Sequence, residues 1–491
     1  MGPIFPNEVH GGSQKTLQTV VTYLGSLGHL CTVYCTRRDD NCREFNLTEN
    51  VLVKPILRYK QTYPEPHYTA PYYLTDIILS LQNAVRESDI FYVHDGELNF
   101  PFLYSDIPTV IAIQDFVYPD TLASSFSFQR DRLIVTSEYV RDCVLQTFSQ
   151  FRDVSDRVSV IPNGFNTKLF SKRESTRLRQ ELNLSENDIP ILYPHRPDPR
   201  KGIYDAIQTI ARLKHYLPPN EFNRIRLLVP VWVDSNVTNN SDHIYQSIYG
   251  DVSKYAAELN MPNLLIFHKW IPVARMPEYY LLGKATLCIG NFIESFGNAS
   301  IESELCGTPA IISRVGAQRY ILPEEITHKI DYKDYEKAAQ ILAGILANNI
   351  PLYTEEIRDY ITKYFDEQQM VQGYAHELTN VNKLPSLPEK HHLNWSLDDQ
   401  VVIPSWCSLT DSGYYNDYLY DYVKDTQLVK VVNELSFPLS VGDLFQHGIT
   451  EEQARGWVRE GLLARYPSGE HNPTGREAIG LNQEIDAGDV K

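Results

Sequence analysis

The densest chemistry in the sequence lies in FIESFGNASIESELCGTPAI, Phe292 to Ile311. Glu294 and Glu302 stand there with seven residues between them, and a Phe-Gly pair, Phe296-Gly297, comes just after the first. The preceding run ATLCIG (Ala285–Gly290) reads as a strand. Asn298 or Ser300 is placed to cap a helix that ends at Cys306, with Gly307 just past its end and Pro309 beyond. Glu294 therefore belongs to a loop and Glu302 to the helix, while Glu304 reads as ordinary helix surface. Carboxylates repel phosphates but accept hydrogen bonds from hydroxyls, and a vicinal diol matches the two oxygens of one carboxylate.

Two other stretches offer the complementary charge. In YPHRPDPRKGIYDAI, Arg196 and Lys201 lie five apart across a Pro-rich loop that follows a strand ending at His195. Both cations can point to the carboxyl end of a sheet, where open α/β sheets bind ligands. Arg forks onto phosphate oxygens and Lys adds a point charge; standing alone, the motif reads better as a solvated basic turn. In GGSQKTLQTVV, Gly11 and Gly12 precede an amphipathic helix with Ser13 as its expected N-cap. Glycines let backbone N–H groups approach a ligand, and a helix N-terminus favours negative charge, so diphosphate is the natural guest. By itself a glycine pair before a helix is more often only a turn. Taken together, one carboxylate can hold a sugar and the other a ribose, with cations and glycine amides on the diphosphate between them.

The elements that must position these groups follow from the hydrophobic pattern. A chain of 491 residues, 43% apolar and 22% charged, is a soluble globular protein of two or three domains. The net charge of −17 argues against a nucleic-acid or anionic-membrane partner, since both need a basic footprint. No apolar run is long enough to span a bilayer and the start lacks a signal segment. Seven scattered cysteines read as buried thiols in a reducing cytosol rather than as a metal or disulfide site, so a cytoplasmic location is expected. Up to about residue 380, short apolar runs (CTVYCT, VLVKPIL, DIFYVH, TVIAIQ, RLIVTS, RVSVIP, then IPILYPH, IRLLVPV, NLLIFH, ATLCIG, TPAIIS) alternate with helical patterns. That alternation implies parallel sheets covered on both faces. It pauses at Ile161–Pro190, the boundary between two doubly wound domains, 1–170 and 171–381, and residues 353–380 read as one long helix closing the second. A linker, 382–395, carries His391-His392, a pair that could bind a metal, although two adjacent histidines without further ligands more often mean nothing. Residues 396–491 read as a small, mostly helical, winged-helix-like appendage: a Tyr/Asp-rich patch, three short helices, a wing, and a loose tail from Pro467. The start MGPIFPNEVHGGSQ falls where a first strand should already be ending, so either that strand is missing or the true N-terminus lies upstream.

At this point the chain resembles a known family. ESFGNASIE matches the E-x7-E motif of retaining GT-B glycosyltransferases of family 4. GGSQKTLQTVVTYLGSLGH resembles the family's glycine loop and first helix, DIFYVHD its histidine strand, VIPNGFNTKLF the segment leading into the second domain, RPDPRKG the diphosphate loop, and ESELCGTPAIISRVGAQRYIL the downstream helix and strand. The resemblance covers roughly residues 1–380. It implies two Rossmann-like domains facing across a cleft, a nucleoside-diphosphate sugar (UDP-, GDP- or ADP-linked) as donor, no metal or other cofactor, and a glycan, small molecule or protein as acceptor. Carried over residue by residue, Glu294, Arg196 and Lys201 would be catalytic, and Gly12, Glu302, Phe296, Gly297, Asn298 and Ile271 would bind the donor. On the acceptor side the candidates are His94, Gln114 and Asp115.

The sequence departs from the family pattern in three places. Gln114 stands where a histidine is usual, and glutamine cannot titrate. His195 stands where a glycine commonly precedes the arginine. The appendage lies outside the pattern, and its second helix mixes Glu451, Glu452, Arg455, Arg459 and Glu460, so the basic stripe expected for DNA is absent; substrate or partner docking and a purely structural role stay open for it. A retaining hexosyltransferase is the expected function. The rivals are a non-catalytic sugar-nucleotide or protein-binding protein, and a sugar phosphorylase or epimerase on the same fold.

Overall fold

The computed structural model describes residues 4–6, 9, 11–58, 70–96, 100–118, 121, 122, 125, 128, 131–148, 151–171, 177–195, 199–231, 241–389 and 394–467. Arg196, His391, His392 and the tail from residue 468 lie outside the described residues.

In the first domain, β1 (Cys31–Thr36), β2 (Phe45–Thr48) and β3 (Val51–Leu57) form a sheet of order β1-β3-β2, with β1 and β3 parallel. Strict alternation writes this sheet: in β3, Val51, Val53, Pro55 and Leu57 are buried while the residues between them are not. A second, parallel sheet runs β4 (Phe91–His94), β5 (Thr109–Ile113), β6 (Arg132–Val135), β7 (Val158–Val160) in sequence order. β5 is buried along its whole length, as expected of a strand covered on both faces.

The second domain is one parallel six-stranded sheet of β8 (Ile189–Leu192), β9 (Ile225–Pro230), β10 (Leu265–His268), β11 (Ala285–Cys288), β12 (Ala310–Ser313) and β13 (His328–Ile330), in the order β10-β9-β8-β11-β12-β13. The chain winds outward from β8 in one direction and from β11 in the other. The crevice between the carboxyl ends of β8 and β11 is thus the switch point, where an open parallel sheet offers its ligand site. Both domains are Rossmann-like, as expected.

The chain returns to the first domain at its end. The single long helix expected over 353–380 is two helices, Thr354–Tyr364 and Glu367–Asn380, because Asp366 breaks the run and caps the second through Gln368 N. Strand-like pairing of Phe165 with Asp366 ties the two crossing segments together. The second helix buries Met370, Val371, Tyr374 and Leu378 against Val20, Leu24, Val110 and Ala112 of the first domain, so it closes that domain and not the second.

The appendage places three helices, Thr426–Glu434, Val441–Gln446 and Glu451–Arg459, on a small antiparallel sheet. In it β14 (Gln400–Val402) lies between β18 (Leu439–Ser440) and β19 (Ala464–Tyr466). The Tyr/Asp-rich patch, unassigned from sequence, is a meander of β15 (Cys407–Thr410), β16 (Gly413–Asn416) and β17 (Asp421–Tyr422). Among the described residues no helix is long and apolar enough to cross a membrane.

Glu304 is not helix surface. It is 2% exposed, and its Oε1 accepts the amide of Ala310 at 2.7 Å, linking the helix to β12. Burial pushes its carboxyl up to about 8. Between the ordinary value of 4.5 and 8 the folded chain keeps a proton that the unfolded chain releases, so this group's contribution to stability is lost as pH rises through that window. Glu304→Gln keeps the acceptor oxygen and removes the titration. Thermal denaturation should find the variant equal to wild type at pH 5 and more stable at pH 8; a gap that does not change with pH would refute the buried proton.

Candidate active site

Lys201 and Glu294 come from the loops after β8 and β11, which are neighbours at the switch point. Two glycines let these loops touch. Gly202 has φ +91°, and a Cβ there would lie 2.5 Å from Gly290 N; a Cβ on Gly290 would lie 2.3 Å from Arg200 O. Phe292 N then donates to Arg200 O at 2.7 Å. With the backbones welded, Lys201 Nζ sits 2.6 Å from Glu294 Oε1 and 3.6 Å from the centroid of the Phe292 ring. Both side chains keep an exposed face, at 17% and 19%.

The rest of the Glu294 loop is pinned from below. Ala317 N donates to Glu294 O at 2.8 Å. Phe296 is buried, stacked on Phe165 and edge-on to Phe365, which anchors the turn that launches the next helix. That helix is Asn298–Leu305, with Gly297 at its N-cap; neither Asn298 nor Ser300 is the cap. Glu302 lies one turn in. Its Oε1 is 3.5 Å from Lys15 Nζ, and its Oε2 accepts Tyr280 OH at 3.1 Å.

The opposite wall begins with helix Gly12–Ser26, whose N-cap is Gly11. Ser13 is therefore inside the helix and not its cap, and its Oγ donates to Asp95 Oδ2 at 2.8 Å. Gly12 comes so close to the E-x7-E helix that a Cβ would lie 2.9 Å from Asn298 Nδ2. Two helix N-termini, each with a partial positive charge, thus face one cleft of about 450 Å³. Gly12, Lys201, Glu294, Phe296, Gly297, Asn298, Glu302, Ile271, Gln114 and Asp115 all line it. Ile271, Trp270, Val273, Met276 and Tyr279 add an apolar lining suited to a flat ring.

His94 is placed one layer behind this wall. It is 3% exposed; Nε2 lies 2.9 Å from Ser13 O and Nδ1 lies 2.7 Å from Tyr92 OH. A carbonyl only accepts, so Nε2 carries the proton and Nδ1 accepts from the tyrosine. Burial lowers its pKa and keeps the ring neutral. His94 orients Ser13. Gln114 is likewise tied, its Nε2 donating to Tyr374 OH at 3.1 Å and its amide to Asp95 Oδ1 at 3.3 Å. Asp115 accepts Thr121 Oγ1 at 2.8 Å as well as the amides of Val117 and Tyr118. Burial, and then the charge of Asp95, nevertheless push its carboxyl up to about 6.

Asp95, Lys15 and Tyr280 line the cleft and escaped the sequence reading. Asp95 had a signal, since it directly follows the strand-end His94; the structure gives it a left-handed φ of 64°. Nothing local marks Lys15 or Tyr280, whose role depends on Glu302 from a distant segment.

The family model described as Glycosyltransferase Family 4 matches residues 10–169, and that described as Glycosyl transferases group 1 matches residues 174–368. A D-inositol 3-phosphate glycosyltransferase of Acidothermus cellulolyticus is 28% identical over 161 residues, 33% of this chain and 34% of that protein. The chain thus spans about a third of the length of that relative. Among solved structures, Anabaena HepE in complex with UDP and glucose superposes with a TM-score of 0.58 at 15% identity, covering 77% of this chain and 98% of that one. Sucrose-phosphate synthase from Thermosynechococcus elongatus gives a TM-score of 0.58 at 18% identity, covering 75% and 93%.

The loop contact is open to a direct check. Gly28 also has φ +91° but has nothing within 4 Å of a Cβ, so Gly28→Ala carries the conformational cost alone. Gly202→Ala adds a backbone clash, and should be less stable than Gly28→Ala by about 1–3 kcal/mol in denaturant unfolding. Equal losses would mean that the loops are not in contact.

Proposed function

On the premise that this chain is built as a GT-B glycosyltransferase, we propose that it transfers a sugar from a nucleoside diphosphate to an acceptor hydroxyl with retention of anomeric configuration. The observation that carries this reading is the Lys201–Glu294 pair at the switch point, sharing one cleft with two helix N-termini. The glycine-side amides and Lys201 suit a diphosphate, and Arg196 is expected to join them. Glu294 suits the hydroxyls of the donor sugar. Glu302, oriented by Tyr280 and Lys15, suits the ribose, and the Ile271 end suits the base. The UDP and glucose named for the HepE complex are of the same ligand class.

In the reaction, the bond from the anomeric carbon to the diphosphate oxygen breaks and a bond to the acceptor oxygen forms on the same face. The acceptor's proton passes to the departing diphosphate oxygen. No protein nucleophile is needed, unlike in retaining hydrolases with paired carboxylates. Gln114 then need not titrate; its amide group holds the wall in place. Stabilising the charge that develops on the leaving diphosphate becomes the main catalytic contribution, and it falls to Lys201 and the helix N-termini. The rival, a non-catalytic sugar-nucleotide binder, predicts binding without turnover.

A screen of UDP-, GDP- and ADP-sugars, with the product's anomeric configuration read by NMR, tests the reading. Lys201→Ala should lose about 10²–10³ in kcat, with Glu294→Gln also impaired. Donor binding with no turnover in wild type would sink it. Asp115 adds a pH signature. It suits a second hydroxyl of the acceptor, not the one that is glycosylated; as pH falls through about 6 its carboxylate takes a proton and stops accepting there, so kcat/KM for the acceptor should drop on the acid side. Asp115→Asn should be weaker throughout and lack that limb; an unchanged limb would assign it to another group.

A further inference from the structure

Neither family match reaches the appendage, yet one turn of its meander touches both Rossmann-like domains. The turn after β16 carries Asp417, which is fully buried. Its Oδ2 accepts Tyr139 OH of the first domain at 2.8 Å and Arg319 Nη1 of the second at 3.0 Å. Its Oδ1 accepts Gly316 N at 3.2 Å, and Arg319 Nη2 as well. One carboxylate of the third domain is thereby filled by donors from the other two.

The turn reaches cleft loops on both sides. On the donor side, Gly316 precedes Ala317, whose amide holds Glu294 O at 2.8 Å. Asn291, three residues before Glu294, points its Nδ2 at Tyr420 O, 3.5 Å away. On the acceptor side, Tyr418 OH donates to Phe116 O at 2.8 Å, directly after Asp115. The two walls also meet beside this turn, where Ser137 Oγ donates to Ser295 O at 2.7 Å. Ile293 and Ala317 are buried among Val135, Tyr139 and Val140 in the core of the first domain. A buried ion pair is weak evidence of stability, since desolvation offsets the attraction, but it specifies geometry closely. Here the geometry specified is that of two loops from different domains.

We propose that the turn Asp417–Tyr420 is a built-in brace that fixes the Glu294 loop and the Asp115 loop relative to each other. Asp417 and Tyr418 are positioning residues for transfer and touch no substrate. The kinetic side of this inference rests on the function proposed above; the structural side does not. The nucleotide end of the cleft, at Ile271 and Glu302, receives none of the described contacts from this turn.

The test uses full-length Tyr418→Phe and Asp417→Asn. Hydrogen exchange of segments 114–118 and 291–297 should speed up by about tenfold in both variants, because the loops lose a shared tether. Affinity for UDP should stay within about threefold of wild type while kcat falls about ten- to hundredfold, as expected for misplaced reacting groups. Unchanged exchange in both loops, or exchange raised only within 396–467, overturns the brace. So does a lowered melting temperature with kcat per folded molecule unchanged, which is what a merely structural role would give. Should Asp417→Asn not fold, Tyr418→Phe decides alone, since it deletes one hydroxyl and keeps the ring. A wild type inert towards every donor would fail the proposed function, and the exchange measurement would still decide the brace.

Discussion

The site depends on one close approach, that of Gly202 to Gly290. At a switch point the chain leaves two adjacent parallel strands for opposite faces of the sheet, so the two loops normally diverge. Here the absence of two Cβ atoms lets the loop after β8 rest on the loop after β11, and Phe292 N closes the contact on Arg200 O. A cation and a carboxylate that are 93 residues apart in sequence become an ion pair. The strand order puts these loops side by side; the glycines turn proximity into a defined geometry.

Charge in the cleft is segregated by what each group can do. Backbone amides of two helix N-termini supply a fixed positive potential to the cleft. The carboxylates sit to either side. Glu294 is balanced by Lys201, Glu302 is balanced by Lys15 and oriented by Tyr280, and Asp95 with Asp115 occupies the opposite wall. The neutral His94 behind that wall contributes orientation and not charge, since its two nitrogens are committed to Ser13 and Tyr92.

The division into domains is looser in sequence than in space. The helix Glu367–Asn380 follows the second domain but packs on the first, and Tyr374 from it holds Gln114. The appendage goes further, because Asp417 takes its donors from both Rossmann-like domains and leaves none of its carboxylate capacity for its own. The cleft is a three-body construction, with each wall supported from behind by chain that belongs elsewhere.

Local pattern determined much of this protein. Every strand named from apolar runs is a strand, because period-2 alternation and short buried runs depend only on near neighbours. The short, more polar β2 and β13 lacked such runs and passed unnoticed. Glu294 in a loop and Glu302 in a helix were legible from the glycine, the stop at Gly307 and the spacing. What sequence could not supply is which face of an element meets a distant one. Glu304 follows Glu302 by two residues, yet it faces β12 and keeps a proton, while Glu302 faces the cleft. Ser13 turned from expected cap to hydrogen-bond donor to Asp95, and the Tyr/Asp-rich patch, unassigned from sequence, proved to be a junction. Residue type and spacing set which groups can do chemistry. Burial and long-range contact decide which of them do, because desolvation and partners brought from far along the chain exist only once the chain has packed.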